Sequence, residues 1–199
     1  MSENFLAIIN LFGSTRESRN IVRLDLHEGA MLFRYAASIK EGNIVEIGRM
    51  HGGSTVILAT ATHGSKSKII SIDLEDKMLE PTKRFFKEYL EKERIDIRID
   101  DSWKMKSIDS SMLFIDGDHS YDGVKKDFIA HWNGLKDNGL CLAHDYECPH
   151  CPGVTKFINE WVSDGYAKIL EQTQTMVSLQ KLKMYKLSLI HISEPTRPY

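Results

Sequence analysis

The chain has 199 residues, 42% of them hydrophobic, and a formal net charge of −2. This length suits one domain with a sizeable core, and the near-neutral charge excludes a nucleic-acid-binding protein that works by bulk charge. No apolar run approaches the ~20 residues that a membrane span needs, so no membrane partner is expected. Three cysteines are too few for a disulfide framework, which favours a cytoplasmic location.

Short apolar runs alternate with helical patterns from residue 43 onwards. Strands are predicted at 43–48, 68–73, 95–102, 111–119 and 139–145, and the helices between and after them at 54–63, 81–93, 123–135 and 154–162. The segments AKILEQTQT and MVSLQKLK then form a hairpin. This alternation indicates an α/β fold: a Rossmann-like, doubly wound, mostly parallel sheet of seven strands, with an antiparallel last hairpin and helices on both faces.

The two ends of the chain are predicted to differ from this core. Residues 1–42 contribute N-terminal helices, such as EGAMLFRYAASI, that pack on the sheet or cap its cleft. Residues 43–186 form the Rossmann-like core, so 1–186 is expected to be a single domain. The segment 187–199, LSLIHISEPTRPY, continues no earlier pattern and resembles a translated sequencing adapter, so we interpret it as a non-native tail.

Polar side chains follow the ends of five predicted strands whose bodies are apolar. In a doubly wound sheet, ligands bind beyond the carboxyl ends of the strands. Each of these residues alone could cap a helix or form a turn, but together they predict a ligand site. The candidates are Glu46–Gly48, Asp73, Asp101–Ser102, Asp116–His119 and His144–Asp145.

The turn EIGRMHGGS after the first strand discriminates between nucleotide-like ligands. A dinucleotide fingerprint, G-x-G-x-x-G, would need glycine where Met50 stands. Glu46 comes just before the turn, where it would repel a pyrophosphate but attract an ammonium group. Gly48, with Gly52 or Gly53, would let the backbone leave the strand and approach a ligand.

These features suit S-adenosylmethionine, which carries an amino group, a carboxylate and a sulfonium. The amides at the start of the next helix, around Ser54, would meet its carboxylate. Asp73 ends the second strand and is placed to accept hydrogen bonds from two ribose hydroxyls. Asp101 or Ser102 could meet the adenine.

Five motifs spanning residues 43–154 resemble class I S-adenosylmethionine-dependent methyltransferases: IVEIGRMHGGST, SIDLE, DDS, FIDGDHSYDGVKKD, and LAHDY followed by PGV. More narrowly, the set is similar to the metal-assisted O-methyltransferases of sugars and antibiotics, of the macrocin and cephalosporin-pathway type. The resemblance implies methylation of a hydroxyl on a sugar or glycosylated small molecule. It also implies two cofactors, S-adenosylmethionine and a divalent cation, Mg²⁺ or Mn²⁺.

A sugar hydroxyl is a poor nucleophile at neutral pH, so it needs a base, a metal ion or both. The resemblance aligns His119 with the family's general base, and an intrinsic imidazole pKa near ~6.5 suits that task. It aligns Asp116 and Asp145 with metal ligands, although Asp116 could instead be a cofactor-side carboxylate. His144 stands where several members carry a carboxylate, and imidazole suits Mn²⁺ better than Mg²⁺.

Several alternatives stay open from the sequence. A nicotinamide-dependent oxidoreductase would use the same architecture, although Met50 counts against it, and a cofactor-binding protein without turnover would share the fold. The CPHC motif, residues 148–151, favours a structural role, because there is no second C-x-x-C and a zinc site would have to recruit His150 or His144. The acceptor is expected to be a hydroxylated small molecule. The sequence does not give the oligomeric state, although relatives often form homo-oligomers.

Overall fold

The computed structural model describes residues 8–12, 21–89 and 94–185. Its helices are α1 (Leu26–Ser38), α2 (Gly53–Ala61), α3 (Glu80–Tyr89), α4 (Tyr121–Trp132) and α5 (Pro152–Ser163), with short 3₁₀ helices at Ile9–Phe12 and Ser102–Lys104. The strands are β1 (Glu41–Ile47), β2 (Lys66–Asp73), β3 (Ile95–Ile99), β4 (Ser110–Ile115), β5 (Leu135–Ala143), β6 (Ala167–Thr173) and β7 (Met176–Lys181). Within these ranges, no helix combines the length and the apolar character needed to cross a bilayer.

The seven strands form one mixed sheet in the order β3-β2-β1-β4-β5-β7-β6. The first five strands run parallel, and β7 pairs antiparallel with both β5 and β6. The predicted fold class, including the antiparallel final hairpin, is therefore confirmed. The strand order reverses at β1 and β4, which is where a doubly wound sheet opens a crevice for a ligand.

The core consists of two apolar layers, one on each face of the sheet. Successive side chains of a strand point to opposite faces. Along β1, Val45 and Ile47 therefore pack with α4 and α5, whereas Ile44 packs with α1 and α2. Trp132 of α4 is fully buried and stacks on Phe128.

Some element boundaries differ from the sequence prediction. The third strand ends at Ile99, because the chain turns into the 3₁₀ helix that begins at Ser102. The fifth strand starts at Leu135 and bulges before Leu140, with Asn138 in the left-handed conformation at a φ of +58°. Asp137 and Asn138 are typical turn residues, which is why the sequence predicts a strand that starts only at Gly139.

Helix α1 lies in the N-terminal segment where helices were predicted, and it packs against α2. It begins with a capping box: the Asp25 side chain accepts from the His27 amide at 2.8 Å, and Glu28 accepts from the Asp25 amide at 2.8 Å. The division into 1–42 and 43–186 stays a prediction. The segment 187–199, predicted to be a non-native tail, lies outside the described residues.

Candidate active site

The carboxyl ends of the parallel strands lie level with one another. Beyond the last paired residues, the Gly48 amide donates to Ile72 O at 3.0 Å and the Asp116 amide to Ile47 O at 2.8 Å. The His144 amide donates to Ile115 O at 3.1 Å. The loops after β2, β1, β4 and β5 therefore leave the sheet side by side, and the polar residues they carry face one crevice.

A cavity of about 700 Å³ occupies this crevice. Its wall contains ten of the residues that the sequence analysis proposed: Gly48, Gly53, Ser54, Asp73, Asp101, Ser102, Asp116, His119, His144 and Asp145. It does not contain Glu46 or Gly52. The predicted convergence of separate strand ends is thus present in the structure, with two exceptions that have clear physical reasons.

Glu46 does not line the cavity. It faces the same side of β1 as Ile44, under α2, and its side chain is fully buried. Its Oε2 accepts from the Thr55 hydroxyl at 2.5 Å and from the Ser71 hydroxyl. Burial raises the pKa of the Glu46 carboxyl, although hydrogen bonds from neighbouring hydroxyls act to lower it. The structure therefore gives Glu46 a place beneath the glycine turn and not the exposed position that an ammonium contact needs.

The glycines of the first turn have different roles. Gly48 has a φ of +85°, and a Cβ there would lie 2.0 Å from the Asp116 carbonyl oxygen, so only glycine lets the end of β1 pass so close to the loop after β4. Gly52, with a φ of +86°, is the N-cap of α2, and a Cβ there would meet Thr82 at 2.7 Å. Gly52 therefore shapes the turn, while Gly53 and Ser54 of α2 line the cavity.

Asp73 fixes the turn from the end of β2. Its Oδ2 accepts from the amides of Arg49 at 2.8 Å and Met50 at 2.7 Å. Burial raises the pKa of the Asp73 carboxyl, but these backbone hydrogen bonds outweigh it and hold the pKa below its ordinary value. Asp73 is therefore an ionised acceptor on the cavity wall at neutral pH.

The wall beside β3 carries an aspartate that the sequence analysis quoted within a motif but gave no role. Asp127 of α4 is 4% exposed, lines the cavity and accepts a hydrogen bond from the Ser102 hydroxyl. Burial raises the pKa of Asp127 to about 6, although the hydrogen bond from Ser102 acts to lower it. One signal could have found it: Asp127 is next to Phe128, an apolar residue of the same predicted helix. Asp101 instead forms an ion pair with Lys104 at 3.0 Å.

At the other side of the cavity, the residues after β4 and β5 form a compact polar group. His144 Nδ1 lies 3.2 Å from Asp116 Oδ1 and 3.3 Å from Asp145 Oδ2. Ligand atoms of these three residues all lie within 4.8 Å of one another, which is close enough to hold one metal ion. Asp145 adopts a φ of +61°, a conformation that aspartate tolerates better than most residues and that turns the chain sharply after β5.

His119 lies next to this group and is half exposed, with 50% of its side-chain surface accessible. Its Nδ1 is 3.2 Å from Asp145 Oδ2, and its Nε2 is 4.0 Å from Asp116 Oδ1. Its Nδ1 also lies 3.5 Å from the sulfur of Cys151. The predicted base and the predicted metal ligands are therefore neighbours in space.

The sequence analysis missed Glu28, which reaches this group from α1. Its Oε2 lies 3.2 Å from His144 Nε2, and its Oε1 accepts from the amide of Thr175 at 2.9 Å and from its hydroxyl at 2.7 Å. Burial lowers the pKa of His144, but the Asp116, Asp145 and Glu28 carboxylates outweigh it and raise that pKa to about 12. The capping-box pattern D-x-x-E was the only local signal for Glu28, and it predicts a helix start and not a site residue.

Comparisons with known proteins identify the family of the chain. A family profile described as a methyltransferase domain matches residues 45–146, just over half of the chain. A search of curated proteins found no significant match.

Solved structures share the fold at low identity. The S-adenosylhomocysteine-bound methyltransferase PaMTH1 of Podospora anserina has a TM-score of 0.68 at 16% identity, covering 92% of this chain and 89% of that chain. The O-methyltransferase of Bacillus cereus, in complex with S-adenosylhomocysteine, has a TM-score of 0.63 at 14% identity, covering 91% and 92%. The O-methyltransferase NovP has a TM-score of 0.71 at 14% identity, covering 90% and 98%. Together with the sheet order and the family profile, this likeness shows that the chain belongs to the methyltransferase-domain family, with the class I S-adenosylmethionine-dependent fold.

Proposed function

We propose that the protein is an O-methyltransferase that moves the methyl group of S-adenosylmethionine to a hydroxyl of a sugar or glycosylated small molecule. One observation carries the proposal: a candidate base and three candidate metal ligands lie at one side of the cavity, and the acceptor Asp73 lies at the other. The motif resemblance to macrocin-type enzymes supports the sugar substrate. Two structural neighbours, the Bacillus cereus enzyme and NovP, are O-methyltransferases, which supports transfer to oxygen.

The cavity fits the cofactor in size and chemistry. Its volume of about 700 Å³ is typical of a small-molecule site. Asp73 offers carboxylate oxygens to ribose hydroxyls, and the amides at the start of α2 suit a carboxylate group. Ser102 and Asp127 face the region assigned to the adenine. When bound, S-adenosylmethionine supplies an activated methyl group, and these residues orient it.

The group formed by Asp116, His144 and Asp145 fits a divalent cation, because its carboxylate oxygens and imidazole nitrogen already converge. A mixed nitrogen and oxygen set favours Mn²⁺ over Mg²⁺. When bound, such a cation would lower the pKa of an acceptor hydroxyl. Glu28 accepts at His144 Nε2 and so keeps Nδ1 aimed at the two aspartates.

His119 is the proposed base. Asp145 lies 3.2 Å from His119 Nδ1, so that nitrogen carries the proton of the neutral ring. Nε2 is then left as the proton acceptor. Because His119 is half exposed on the cavity wall, it can take the proton of a hydroxyl that enters the cavity and pass it to solvent.

Incubation with S-adenosylmethionine carrying a labelled methyl group and a library of hydroxylated metabolites tests this proposal by mass spectrometry. The expected result is a labelled methyl ether on a sugar-containing compound, formed at a rate that falls after exhaustive dialysis against EDTA and recovers with Mn²⁺. A label found on nitrogen or carbon would contradict transfer to oxygen. Full turnover after dialysis would contradict the metal.

Thermal-shift measurements separate the alternatives. S-adenosylhomocysteine should raise the melting temperature, and NAD should not. The oxidoreductase alternative already conflicts with the family to which the chain belongs. A protein that binds S-adenosylhomocysteine but labels no member of the library, with or without added metal, would favour the non-catalytic alternative.

A further inference from the structure

A second group of candidate ligands lies on the outer side of Asp145. We propose that His119, Asp145, Cys148 and Cys151, here called the thiol cluster, bind a thiophilic divalent cation of the zinc class. This site shares Asp145 with the group formed by Asp116, His144 and Asp145, but its other donors are thiols and the imidazole of His119. The binding proposal does not depend on the reaction that the enzyme catalyses.

The distances between three members of the thiol cluster are close to those of a tetrahedral metal site. His119 Nδ1 lies 3.2 Å from Asp145 Oδ2 and 3.5 Å from Cys151 Sγ, and ligand atoms of these three residues all lie within 4.8 Å of one another. Zinc bonds of about 2.0–2.3 Å separate tetrahedral ligand atoms by about 3.3–3.8 Å. His119, Asp145 and Cys151 therefore need little rearrangement to surround a cation.

Cys148 offers a fourth ligand. Its side chain interacts with those of Asp145 and Cys151. Its sulfur would have to move closer to join the three residues whose ligand atoms lie within 4.8 Å of one another. All three cysteines of the chain are free thiols, so neither sulfur is lost to a disulfide. Two thiolates, one imidazole and one carboxylate form a donor set that selects zinc over Mg²⁺ or Mn²⁺.

The loop after β5 holds both sulfurs in place. The Cys148 amide donates to Asp145 O at 3.3 Å, and the Cys151 amide donates to Cys148 O at 3.0 Å. Cys151 is the N-cap of α5, and Pro152 fixes the first helical position. From the sequence alone, the C-x-x-C motif favours a structural role, because the chain has no second C-x-x-C to complete a zinc site. In the fold these ligands are His119 and Asp145, and not the His150 or His144 that the sequence suggested.

A cation in the thiol cluster would change what His119 can do. A neutral imidazole bound to a cation through Nδ1 carries its proton on Nε2, so it has no lone pair left to accept another. If His119 is the base of methyl transfer, zinc-class cations should therefore inhibit turnover. This consequence rests on the proposed function.

Metal binding is tested with chelator-treated, tag-free protein, first by Zn²⁺ competition against a chromophoric chelator. Removing a residue that only hydrogen-bonds a metal ligand lowers metal affinity by ~10–100-fold. Removing a ligand itself should lower the affinity further. Cys151→Ser should therefore weaken Zn²⁺ binding more than ~100-fold. Cys141→Ser changes the cysteine buried in β5 and is the matched control, and Asp116→Asn alters only the neighbouring oxygen-rich group. Both controls should keep Zn²⁺ affinity near the wild-type value.

Cobalt adds a spectroscopic readout, because thiolate bound to Co²⁺ gives a charge-transfer absorption that oxygen and nitrogen ligands do not. Wild type and Asp116→Asn should show this band, and Cys151→Ser should lose most of it. Equal Zn²⁺ affinity of wild type and Cys151→Ser, or a Co²⁺ spectrum without the band, would overturn the site. Loss of binding in Asp116→Asn but not in Cys151→Ser would assign the cation to the other group and would also overturn it.

Turnover measurements then test whether Zn²⁺ inhibits methyl transfer. The rate of each variant with Zn²⁺ is compared with its own rate without Zn²⁺. Zn²⁺ should inhibit the wild type, and Cys151→Ser should need a more than ~100-fold higher concentration for the same inhibition. Confirmed binding without inhibition would contradict His119 as the base and leave the metal site standing. An enzyme without detectable turnover would contradict the proposed function, while the Zn²⁺ and Co²⁺ titrations would still decide the site.

Discussion

Replacing Glu28 with glutamine tests whether the buried carboxylate of α1 holds a protonated His144. Glutamine keeps the size of the side chain but removes its charge and presents an amide group where one carboxylate oxygen accepts. A hydrogen bond to a charged group contributes about 1.5–3 kcal/mol, and breaking a buried ion pair costs about 3–5 kcal/mol. Because His144 keeps Asp116 and Asp145, we expect Glu28→Gln to lower the free energy of unfolding by about 2–3 kcal/mol.

Urea and thermal unfolding in the presence of a chelator measure this loss. For a chain of this size it corresponds to a fall in melting temperature of about 4–12 °C. The matched control is Glu171→Gln, since Glu171 also pairs with α1 but at the surface, where its oxygen accepts from Arg34 at 2.7 Å. After allowance for solvent screening, that change should cost less than about 1 kcal/mol.

The stability that Glu28 contributes should depend on pH. Burial raises the pKa of Glu28, but its bonds to His144, Thr175 and Asp25 outweigh burial and lower the pKa from 4.5 to about 2. The stabilisation by the charged carboxylate is therefore fully present above pH 4.5 and is lost as the pH falls towards 2. The difference between wild type and Glu28→Gln should shrink over that range. A Glu28→Gln variant no less stable at pH 7 than Glu171→Gln would refute the reasoning.

Three further substitutions test the cavity. His119→Ala should lower turnover by about 10²–10⁴-fold and leave affinity for S-adenosylhomocysteine nearly unchanged by calorimetry; wild-type turnover would contradict its role as base. Asp73→Asn should weaken S-adenosylhomocysteine binding by about 10–100-fold, because a charged acceptor contributes about 1.5–3 kcal/mol, and an unchanged dissociation constant would argue against the ribose contact. Burial raises the pKa of Asp127 from 3.8 to about 6, so its contribution to the free energy of unfolding should fall by about 2–3 kcal/mol as the pH rises between these values. Asp127→Asn should remove that fall in urea unfolding, and identical pH profiles would show that the carboxyl is not the cause.

The fold was predictable because its signals are local. Alternating apolar runs and helical patterns define the parallel part of the sheet, and the rule that ligands bind at the carboxyl ends of strands selects the residues after each strand. Gly48, Asp73, Asp116 and His144 follow or end strands, and all reach the cavity. For such residues, a place in the sequence at or just after the end of a strand is enough to predict a place at the cavity.

Glu46 shows where this equivalence fails. It lies inside β1, one residue before the strand ends. The alternation of side chains along the strand therefore decides which face Glu46 points to, and its closeness to the turn does not. Both faces of β1 are apolar because both carry helices, so the sequence of the strand does not reveal which face lies under α2. A residue inside a strand buried on both faces is therefore harder to assign than one just beyond its end.

Glu28 and Cys151 show a second limit. Glu28 is 116 positions from His144, and Cys151 is 32 positions from His119. No helical or strand period links residues so far apart, so only the packing of α1 and the path of the loop after β5 bring them together. Local pattern explains why Glu28 starts a helix, and tertiary structure adds its contact with the site.

The contacts of Thr175, in the turn between β6 and β7, affect the order in which the protein folds during synthesis. It bonds Glu28, 147 residues earlier, and its carbonyl accepts from the amide of Tyr146, beside Asp145. A ribosome-bound chain releases Glu28, His144 and Asp145 long before Thr175 emerges. Since such distant contacts form late, the parallel part of the sheet can assemble during synthesis, whereas the finished arrangement around His144 must wait for the final hairpin.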